Sequence, residues 1–295
     1  MTQRDMSQRE RYIRAQRLQG KNVNQSHPYL YSTRIPEAGT SSGILYVLHG
    51  IFGSGRNWGS VMRRFVQDRP DWQARLIDLR QHGASQGFAP PHTIEAGARD
   101  LHELATAEQE TPAAVLGHSF GGKVALMYAR AHGAALRQVW LIDATPEARV
   151  PDGSAWQMLE LIRNLPRKLA SRAELVGLLT RAGIATPTAQ WMATNLERSE
   201  DGSSYHWRFD FDALEEMLRD FFQQDLWSVL EQPPGQAEIH LVKAQQSSVL
   251  SPAAVRRIEA LERRNGRVHL HEVAGGHWVN ADNPDALLAL MKQYL

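Results

Sequence analysis

The chain of 295 residues contains no cysteine. Disulfide bridges, thiolate metal sites and a cysteine nucleophile are therefore excluded. No uninterrupted apolar run reaches the roughly 18 residues that a membrane-spanning helix requires. An excess of one charge is lacking as well, because 33 lysines and arginines against 32 aspartates and glutamates leave a net charge of +1. We therefore expect neither a nucleic acid partner nor a membrane span.

The first 26 residues are polar and lack the apolar core of a secretory signal. Their five arginines are typical of an organelle transit segment, but Asp5 and Glu10 count against that interpretation. We interpret residues 1–26 as a solvated, partly helical extension. A cytoplasmic location, with which the lack of cysteine is compatible, is predicted for the protein.

From residue 44 onward, short apolar runs rich in Val, Ile and Leu alternate with longer helical patterns. This alternation is typical of an α/β fold with a mostly parallel sheet. The predicted strands are 44–48, 76–78, 113–116, 139–142, 239–242 and 268–273, with an edge strand at 29–33. Polar or glycine-rich residues follow most of these runs, so we expect ligand chemistry at the carboxyl ends of the strands.

The alternation fails between residues 147 and 231, where the pattern is helical throughout. We interpret 147–231 as a helical cap, or lid, inserted between two parts of one core, 27–146 and 232–295. One apolar stripe in the cap has the spacing i, i+3, i+4, i+7, i+8, and its members are Leu214, Met217, Leu218, Phe221 and Phe222. Core packing is the favoured interpretation of this stripe.

A G-x-S-x-G sequence occupies residues 117–121, directly after a predicted strand and before a helical run. This strand–turn–helix context is the one that a nucleophilic serine requires. The turn is so tight that small residues must flank Ser119, and the N–H of Phe120 would face a developing oxyanion. A second oxyanion donor is expected from the glycine-rich loop after strand 44–48, where we assign the backbone N–H of Ile51.

A serine hydroxyl needs a histidine to take its proton. Among the 12 histidines, His277 follows the last predicted strand on a glycine-rich loop at the same edge of the sheet. His118 is expected to point elsewhere. His269 and His271 lie inside the last predicted strand, where packing or surface roles are favoured over a metal pair. No metal site is predicted.

The imidazole also needs a carboxylate, which follows the serine and precedes the histidine in the chain. The segment 243–249, after the next-to-last strand, contains no acid, and no aspartate occurs between Asp225 and Asp282. Asp143, at the end of strand 139–142, is the carboxylate left at the correct edge. We predict that it orients His277, with Ser247 as an auxiliary hydrogen-bond partner of the histidine.

These motifs resemble those of the α/β-hydrolases, and in particular those of an esterase group within them. The shared sequences are HGIFGS at 49–54, NW at 57–58, DLRQHGAS at 78–85, GHSFGGK at 117–123, Asp143, and GGHW at 275–278. The similarity extends from about residue 29 to the C-terminus. It implies an α/β-hydrolase fold whose mostly parallel sheet carries flanking helices and a helical cap after strand 6. The group also has Ser near position 247, which supports the assignment of Asp143 and Ser247.

The resemblance implies hydrolysis of small to medium acyl esters or thioesters without a cofactor. Trp58 and Trp278 are then expected to line an apolar acyl pocket. A C–C bond hydrolase and a non-catalytic ligand receptor on the same scaffold are alternatives. A phosphate-binding NTPase is a further alternative, since 117–123 ends in Gly-Lys, although Val124 stands where that motif requires Ser or Thr.

Overall fold

The computed structural model describes residues 29–36 and 43–295, so the predicted extension at 1–26 lies outside the described residues. The described strands are β1 (Ser32–Ile35), β2 (Gly43–Leu48), β3 (Trp72–Ile77), β4 (Ala114–His118), β5 (Gln138–Ile142), β6 (Lys168–Leu169), β7 (Leu196–Arg198), β8 (Tyr205–Trp207), β9 (Glu238–Ala244) and β10 (Val268–Val273). The described helices are α1 (Gly59–Asp68), α2 (Ile94–Glu108), α3 (Phe120–His132), α4 (Gly153–Arg163), α5 (Arg172–Arg181), α6 (Thr186–Ala193), α7 (Phe211–Gln223), α8 (Trp227–Glu231), α9 (Pro252–Asn265), α10 (Val279–Asp282) and α11 (Pro284–Tyr294).

The main sheet has seven strands in the order β1-β3-β2-β4-β5-β9-β10. Every pair in it is parallel except β1 with β3. Parallel strands are covered on both faces and therefore need nearly continuous apolar runs. The central strand β4 shows this, since all of its residues are buried. The predicted α/β class with a mostly parallel sheet is confirmed.

Strand β3 begins four residues before the predicted run 76–78. The prediction missed this half because Gln73 and Arg75 interrupt the apolar pattern. Both are buried, and the guanidinium of Arg75 lies 3.2 Å from Glu108 Oε2 and 2.6 Å from Glu110 Oε1. The strand tolerates the buried positive charge of Arg75 because the carboxylates of Glu108 and Glu110, at the end of α2 and just after it, compensate that charge.

The first strand is also displaced from its prediction, because β1 covers Ser32–Ile35 and not 29–33. The backbone of Tyr31 is engaged elsewhere: its carbonyl accepts the N–H of Asp78 at 2.9 Å. Its own N–H donates to Ser85 Oγ at 2.7 Å. These bonds join Tyr31 to the loop after β3, so the sheet ladder begins only beyond it.

The insertion between β5 and β9 contains α4 to α8 and a second sheet of three short antiparallel strands in the order β6-β8-β7. The prediction that 147–231 is helical throughout is therefore wrong at these strands. They are two or three residues long, too short to carry a period-2 pattern. The apolar stripe of α7 packs in the main core, as predicted. None of the described helices is both long and apolar enough to cross a membrane.

Lys123 connects this insertion to the core. It lies in α3, its side chain is fully buried, and its Nζ donates to three backbone carbonyls: Glu147 and Phe221, both at 2.6 Å, and Gln224 at 2.9 Å. Burial lowers the pKa of Lys123 to about 8. All three ammonium hydrogens have backbone acceptors, so the lysine holds both ends of the insertion against α3 and has no donor left for a phosphate.

Two buried histidines support the loops at the carboxyl ends of β2 and β3. Each ring donates from Nδ1 to a backbone carbonyl. Each Nε2 accepts a backbone N–H, His49 from Leu79 at 2.9 Å and His82 from Phe52 at 3.2 Å. Burial lowers the pKa of His49 to about 4 and that of His82 to about 3. Both rings are therefore neutral at pH 7, and they join the two loops to each other.

We expect Lys123→Met to destabilise the protein, because the change leaves three buried carbonyls without a donor. An unsatisfied buried polar group costs about 1–3 kcal/mol, so the free energy of unfolding should fall by at least about 2 kcal/mol. Urea unfolding measures this. The matched control is Lys292→Met, which removes a half-exposed ion pair with Asp68 and should cost less than about 1 kcal/mol. Equal losses in the two variants would contradict the role of Lys123.

The buried histidines predict a pH dependence of stability. Their folded-state pKa values lie below the ordinary 6.5, so between pH 6.5 and about 4 the unfolded chain binds protons that the folded chain does not. Stability therefore falls as the pH falls, by about 1.4 kcal/mol per pH unit for each histidine. His82→Gln should reduce this slope by about that amount in urea unfolding between pH 7 and 5. An unchanged slope would show that His82 is protonated in the folded state.

Candidate active site

Ser119 occupies the turn between β4 and α3, at the carboxyl edge of the main sheet. Its backbone has φ 51° and ψ −115°, a region that costs a non-glycine residue about 1–3 kcal/mol. The turn is fixed by two hydrogen bonds, from Ser119 N to the Ile142 carbonyl at 3.0 Å and from Gly122 N to the Ser119 carbonyl at 2.9 Å. In this strained conformation Ser119 lines a cavity that His277 also lines.

The glycines around Ser119 are required by close backbone contacts. A Cβ on Gly117 would collide with the carbonyl of Gly121, and a Cβ on Gly121 would lie 2.5 Å from the carbonyl of His49. These approaches bring β4, α3 and the loop after β2 together at one point. The glycines of the G-x-S-x-G pattern are therefore needed for the close approach of backbone segments as well as for the tight turn.

His277 lies on the loop between β10 and α10, and its Nδ1 is 2.6 Å from Asp143 Oδ2. Asp143 is fully buried at the end of β5, with φ 44°. Its N–H donates to the Val242 carbonyl at 2.7 Å, and its Oδ1 accepts the N–H of Ala244 at 3.1 Å. Because a carboxylate only accepts, the Nδ1 of His277 carries the proton and Nε2 is left as a base.

Ser119 and His277 line the same cavity, whose volume is about 440 Å³. Their side chains share no hydrogen bond in this structure, a separation that is common before substrate binds. The other lining residues come from the loop after β2 and from the insertion, and they include Ile51, Met158 and Trp191. No Asp, Glu, Lys or Arg is among the described lining residues.

The two N–H groups predicted as oxyanion donors belong to Phe120, which follows Ser119 in the chain, and to Ile51. Phe120 is the first residue of α3, where helix geometry leaves N–H groups without an intrahelical acceptor. Ile51 lies on the loop after β2 and lines the cavity. Within 29–36 and 43–295, neither N–H has a hydrogen-bond acceptor. Both are free to bind a substrate oxygen.

His118 does not point away from the site, contrary to the sequence-based expectation. Its ring lies 4.6 Å from the ring of His277, and its Nε2 contacts the His277 carbonyl at 2.8 Å. Burial, with a smaller contribution from His277, lowers the pKa of His118 to about 3. A neutral His118 therefore donates one hydrogen bond that fixes the loop of His277. Its place beside Ser119 in the sequence gave no signal of this contact.

Asn195 is a second residue that the sequence analysis missed. It belongs to the insertion, and its side-chain amide donates to the carbonyl of Phe52 at 2.9 Å. Phe52 itself has φ 62°, so this hydrogen bond holds a strained residue next to Ile51. The partners are 143 residues apart in the chain, which is why no local pattern pointed to them.

Two predicted site residues are placed elsewhere. Trp58 does not line the cavity: it is 1% exposed and packs in the core cluster that contains α1 and α11 residues. The prediction that Trp58 lines the acyl pocket is therefore wrong. Ser247 accepts the N–H of Val249 at 3.2 Å, and no hydrogen bond links it to His277 among the described residues. Trp278 does line the cavity, with its ring 4.4 Å from that of Trp191.

A group of side chains that could hold a metal ion lies outside this cavity. Among the described residues, Glu238, His240 and His269 have ligand atoms within 4.8 Å of one another. They lie at the amino ends of β9 and β10, whereas Ser119 and His277 are at the carboxyl edge. The cavity wall contains Ser119, His277 and Ile51, and the buried Asp143 contacts His277 from outside the wall.

The chain is similar to known proteins over most of its length. The model of the Alpha/beta hydrolase family matches residues 45–290. The sn-1-specific diacylglycerol lipase ABHD11 of Mus musculus is 27% identical over 259 residues, which are 84% of this chain and 79% of the relative. Esterase YbfF of Escherichia coli is 25% identical over 260 residues, covering 85% of this chain and 92% of the relative.

Among solved structures, a marine microorganism esterase has the same fold, with a TM-score of 0.78 and 24% identity. The alignment covers 91% of this chain and all of the esterase chain. The family model covers far more than half of the chain, and the resemblance to α/β-hydrolases and their esterase group is confirmed. The chain belongs to the alpha/beta hydrolase family.

Proposed function

We propose that this protein, a carboxylic ester hydrolase by its kinship with the lipase and the esterase above, acts through an acyl-enzyme formed on Ser119. The observation that carries the proposal is the contact of 2.6 Å between His277 Nδ1 and the buried Asp143, beside a serine held on a strained turn. A histidine oriented in this way is the general base that a serine nucleophile needs. Its substrates are esters or thioesters with small to medium acyl groups.

In the proposed reaction, Ser119 Oγ attacks the acyl carbonyl while His277 Nε2 takes the serine proton. The N–H groups of Ile51 and Phe120 stabilise the oxyanion of the tetrahedral intermediate. His277 then gives the proton to the departing alcohol or thiol, which leaves the acyl group on Ser119. A water molecule, deprotonated by His277, then attacks the acyl-enzyme, and His277 returns the proton to Ser119 Oγ as the acid leaves.

Asp143 would hold the His277 ring in the required tautomer and stabilise its positive charge. Two backbone hydrogen bonds, from Ala244 to its Oδ1 and from its own N–H to Val242, fix its position. In the part of the chain that the structure describes, Ser247 accepts the N–H of Val249 and forms no hydrogen bond with His277. We therefore assign the orienting function to Asp143 alone and keep Ser247 as a structural residue of its turn.

The cavity supports an uncharged acyl group. Its volume of about 440 Å³ lies in the usual range for small-molecule sites, and its wall is mostly apolar. Trp191 and Trp278 form one side of it, and the α4 residues Ala155, Met158 and Leu161 contribute to the rest. A cytoplasmic location and the absence of a nucleic acid partner, both predicted from the sequence, belong to the proposal as well.

Of the three alternative functions considered from the sequence, the structure disfavours one. The phosphate-binding NTPase is disfavoured, because Lys123 gives its three donors to backbone carbonyls and the Asp143 carboxylate contacts His277. A C–C bond hydrolase and a non-catalytic receptor would use the same fold and cavity. Activity measurements on esters and on Ser119 variants separate them from the proposed reaction.

The direct test is hydrolysis of p-nitrophenyl acetate, butyrate and octanoate by the wild type and by Ser119→Ala. We expect the wild type to hydrolyse at least one of these esters and the variant to lose about 10⁴-fold or more in kcat. The variant should keep its fold, since alanine fits the same turn. A folded wild type without ester hydrolysis, or a variant with wild-type kcat, would contradict the proposal.

Asp143→Asn tests the orienting role. The amide cannot stabilise the imidazolium and favours the wrong tautomer, so kcat should fall on the order of 10⁴-fold. Ser247→Ala is the matched comparison, and we expect it to lose much less, with kcat measured on the same ester. A larger loss in Ser247→Ala than in Asp143→Asn would reverse the two assignments.

Ala155→Phe tests the acyl pocket. The larger ring fills part of the cavity next to α4, so kcat/KM should fall more for octanoate than for acetate esters. The control is Ala173→Phe, which places the same ring on the exposed α5 surface of the insertion and should leave the octanoate-to-acetate ratio unchanged. Equal ratios in both variants would mean that the acyl chain binds elsewhere.

A further inference from the structure

Three histidines lie together on one face of the sheet edge formed by β9 and β10. His240 of β9 is the register neighbour of His269 of β10, and their ring centroids are 4.7 Å apart. His271 lies two residues further along β10, on the same face, with its ring 5.3 Å from that of His240. Trp140 stacks against the His240 ring at 4.4 Å. The cluster is therefore held by rigid strands and an aromatic neighbour.

Two ring nitrogens of this cluster are buried and form no hydrogen bond with the described residues. They are Nε2 of His240 and Nε2 of His269, and no described donor or acceptor forms a hydrogen bond with either. Leaving a buried polar atom unsatisfied costs about 1–3 kcal/mol, and each such atom in a folded protein requires an explanation. A ligand that accepts both lone pairs would provide one.

A carboxylate faces the same point. Glu238 Oε2 is 3.5 Å from His240 Nε2 and 4.0 Å from His269 Nε2. Ligands of a tetrahedral zinc ion, each bound at about 2.0–2.2 Å, lie roughly 3.4 Å from one another. The first observed separation exceeds that value by about 0.1 Å and the second by about 0.6 Å, so small side-chain movements would bring the ligand atoms to zinc-binding distances. Two imidazole nitrogens and one carboxylate oxygen are also a donor set that zinc commonly takes.

A hydrogen bond with His271 orients the His240 ring. Its Nδ1 lies 3.0 Å from His271 Nε2. When Nδ1 donates to His271, the Nε2 of His240 presents a lone pair to the site, which is how outer-shell partners orient metal-binding histidines. One side of the site is open, because the Glu238 side chain is 44% exposed whereas that of His240 is fully buried. An ion can enter from that side, and water can complete the coordination.

We propose that Glu238, His240 and His269 bind one divalent transition metal ion, with Zn²⁺ as the best fit. Ala244, which contacts Asp143, is four residues along β9 from His240, or roughly 13 Å at the usual rise of a strand. The ion therefore takes no part in the reaction at Ser119. It fastens the edge strand β10 to β9 near their amino ends, and the loop that carries His277 follows the other end of β10. This proposal replaces the sequence-based prediction that no metal site exists.

The test is a calorimetric titration of chelator-treated protein with Zn²⁺. The wild type should bind one equivalent, and Glu238→Gln and His269→Gln should each weaken binding by about tenfold or more. His206→Gln is the matched control, since it removes a half-exposed histidine that also contacts a glutamate, Glu197, at 3.0 Å. It should bind Zn²⁺ as the wild type does. His277→Ala should also bind normally, which separates this site from the active site.

A second measurement guards against unfolding of the variants. The melting temperatures of the wild type and Glu238→Gln should be similar without metal, and Zn²⁺ should raise only that of the wild type. The proposal is overturned if Glu238→Gln and His269→Gln bind Zn²⁺ as tightly as the wild type. It is equally overturned if the wild type binds no Zn²⁺, or if binding disappears in His277→Ala and survives in the other variants.

Discussion

Asp143 is the residue that connects the structural elements at the carboxyl edge of the sheet. Its N–H and Oδ1 bind the backbone of β9 at Val242 and Ala244, while Oδ2 binds the ring of His277. A fully buried carboxylate is tolerated only when such partners satisfy it. The contact that orients the proposed catalytic histidine is thus also a contact that joins β5, β9 and the loop after β10. The proposed function and the local stability therefore depend on the same atoms.

Backbone strain is concentrated at this edge. Ser119, Asp143 and Phe52 all have positive φ angles without being glycine, and each costs about 1–3 kcal/mol. The strain persists because surrounding contacts leave no alternative. Gly121 admits the backbone of the loop after β2, and Asn195 holds Phe52 from the insertion. The insertion therefore does more than cover the cavity, because one of its side chains supports the loop that carries the Ile51 N–H.

The sheet could be predicted from the sequence, and so could the position of Ser119, His277 and Asp143 at one edge of it. Parallel strands end on the same side of a sheet, so the residues that follow them lie close together. It could not predict contacts that depend on packing between distant segments. The acceptors of Lys123 lie 24 to 101 residues away, and Trp58 is buried by helices whose docking no local pattern reveals. The short strands β6 to β8 were missed because they are too short for a periodic signal.

The most direct test of the account is labelling of the purified protein with a fluorophosphonate, which reacts preferentially with an activated serine, followed by mass spectrometric mapping of the modified peptide. We expect a label on Ser119 in the wild type and its loss in His277→Ala, because the proposed mechanism activates the serine through that histidine. A folded wild type without a label on Ser119, or a label that forms equally fast in His277→Ala, would contradict it.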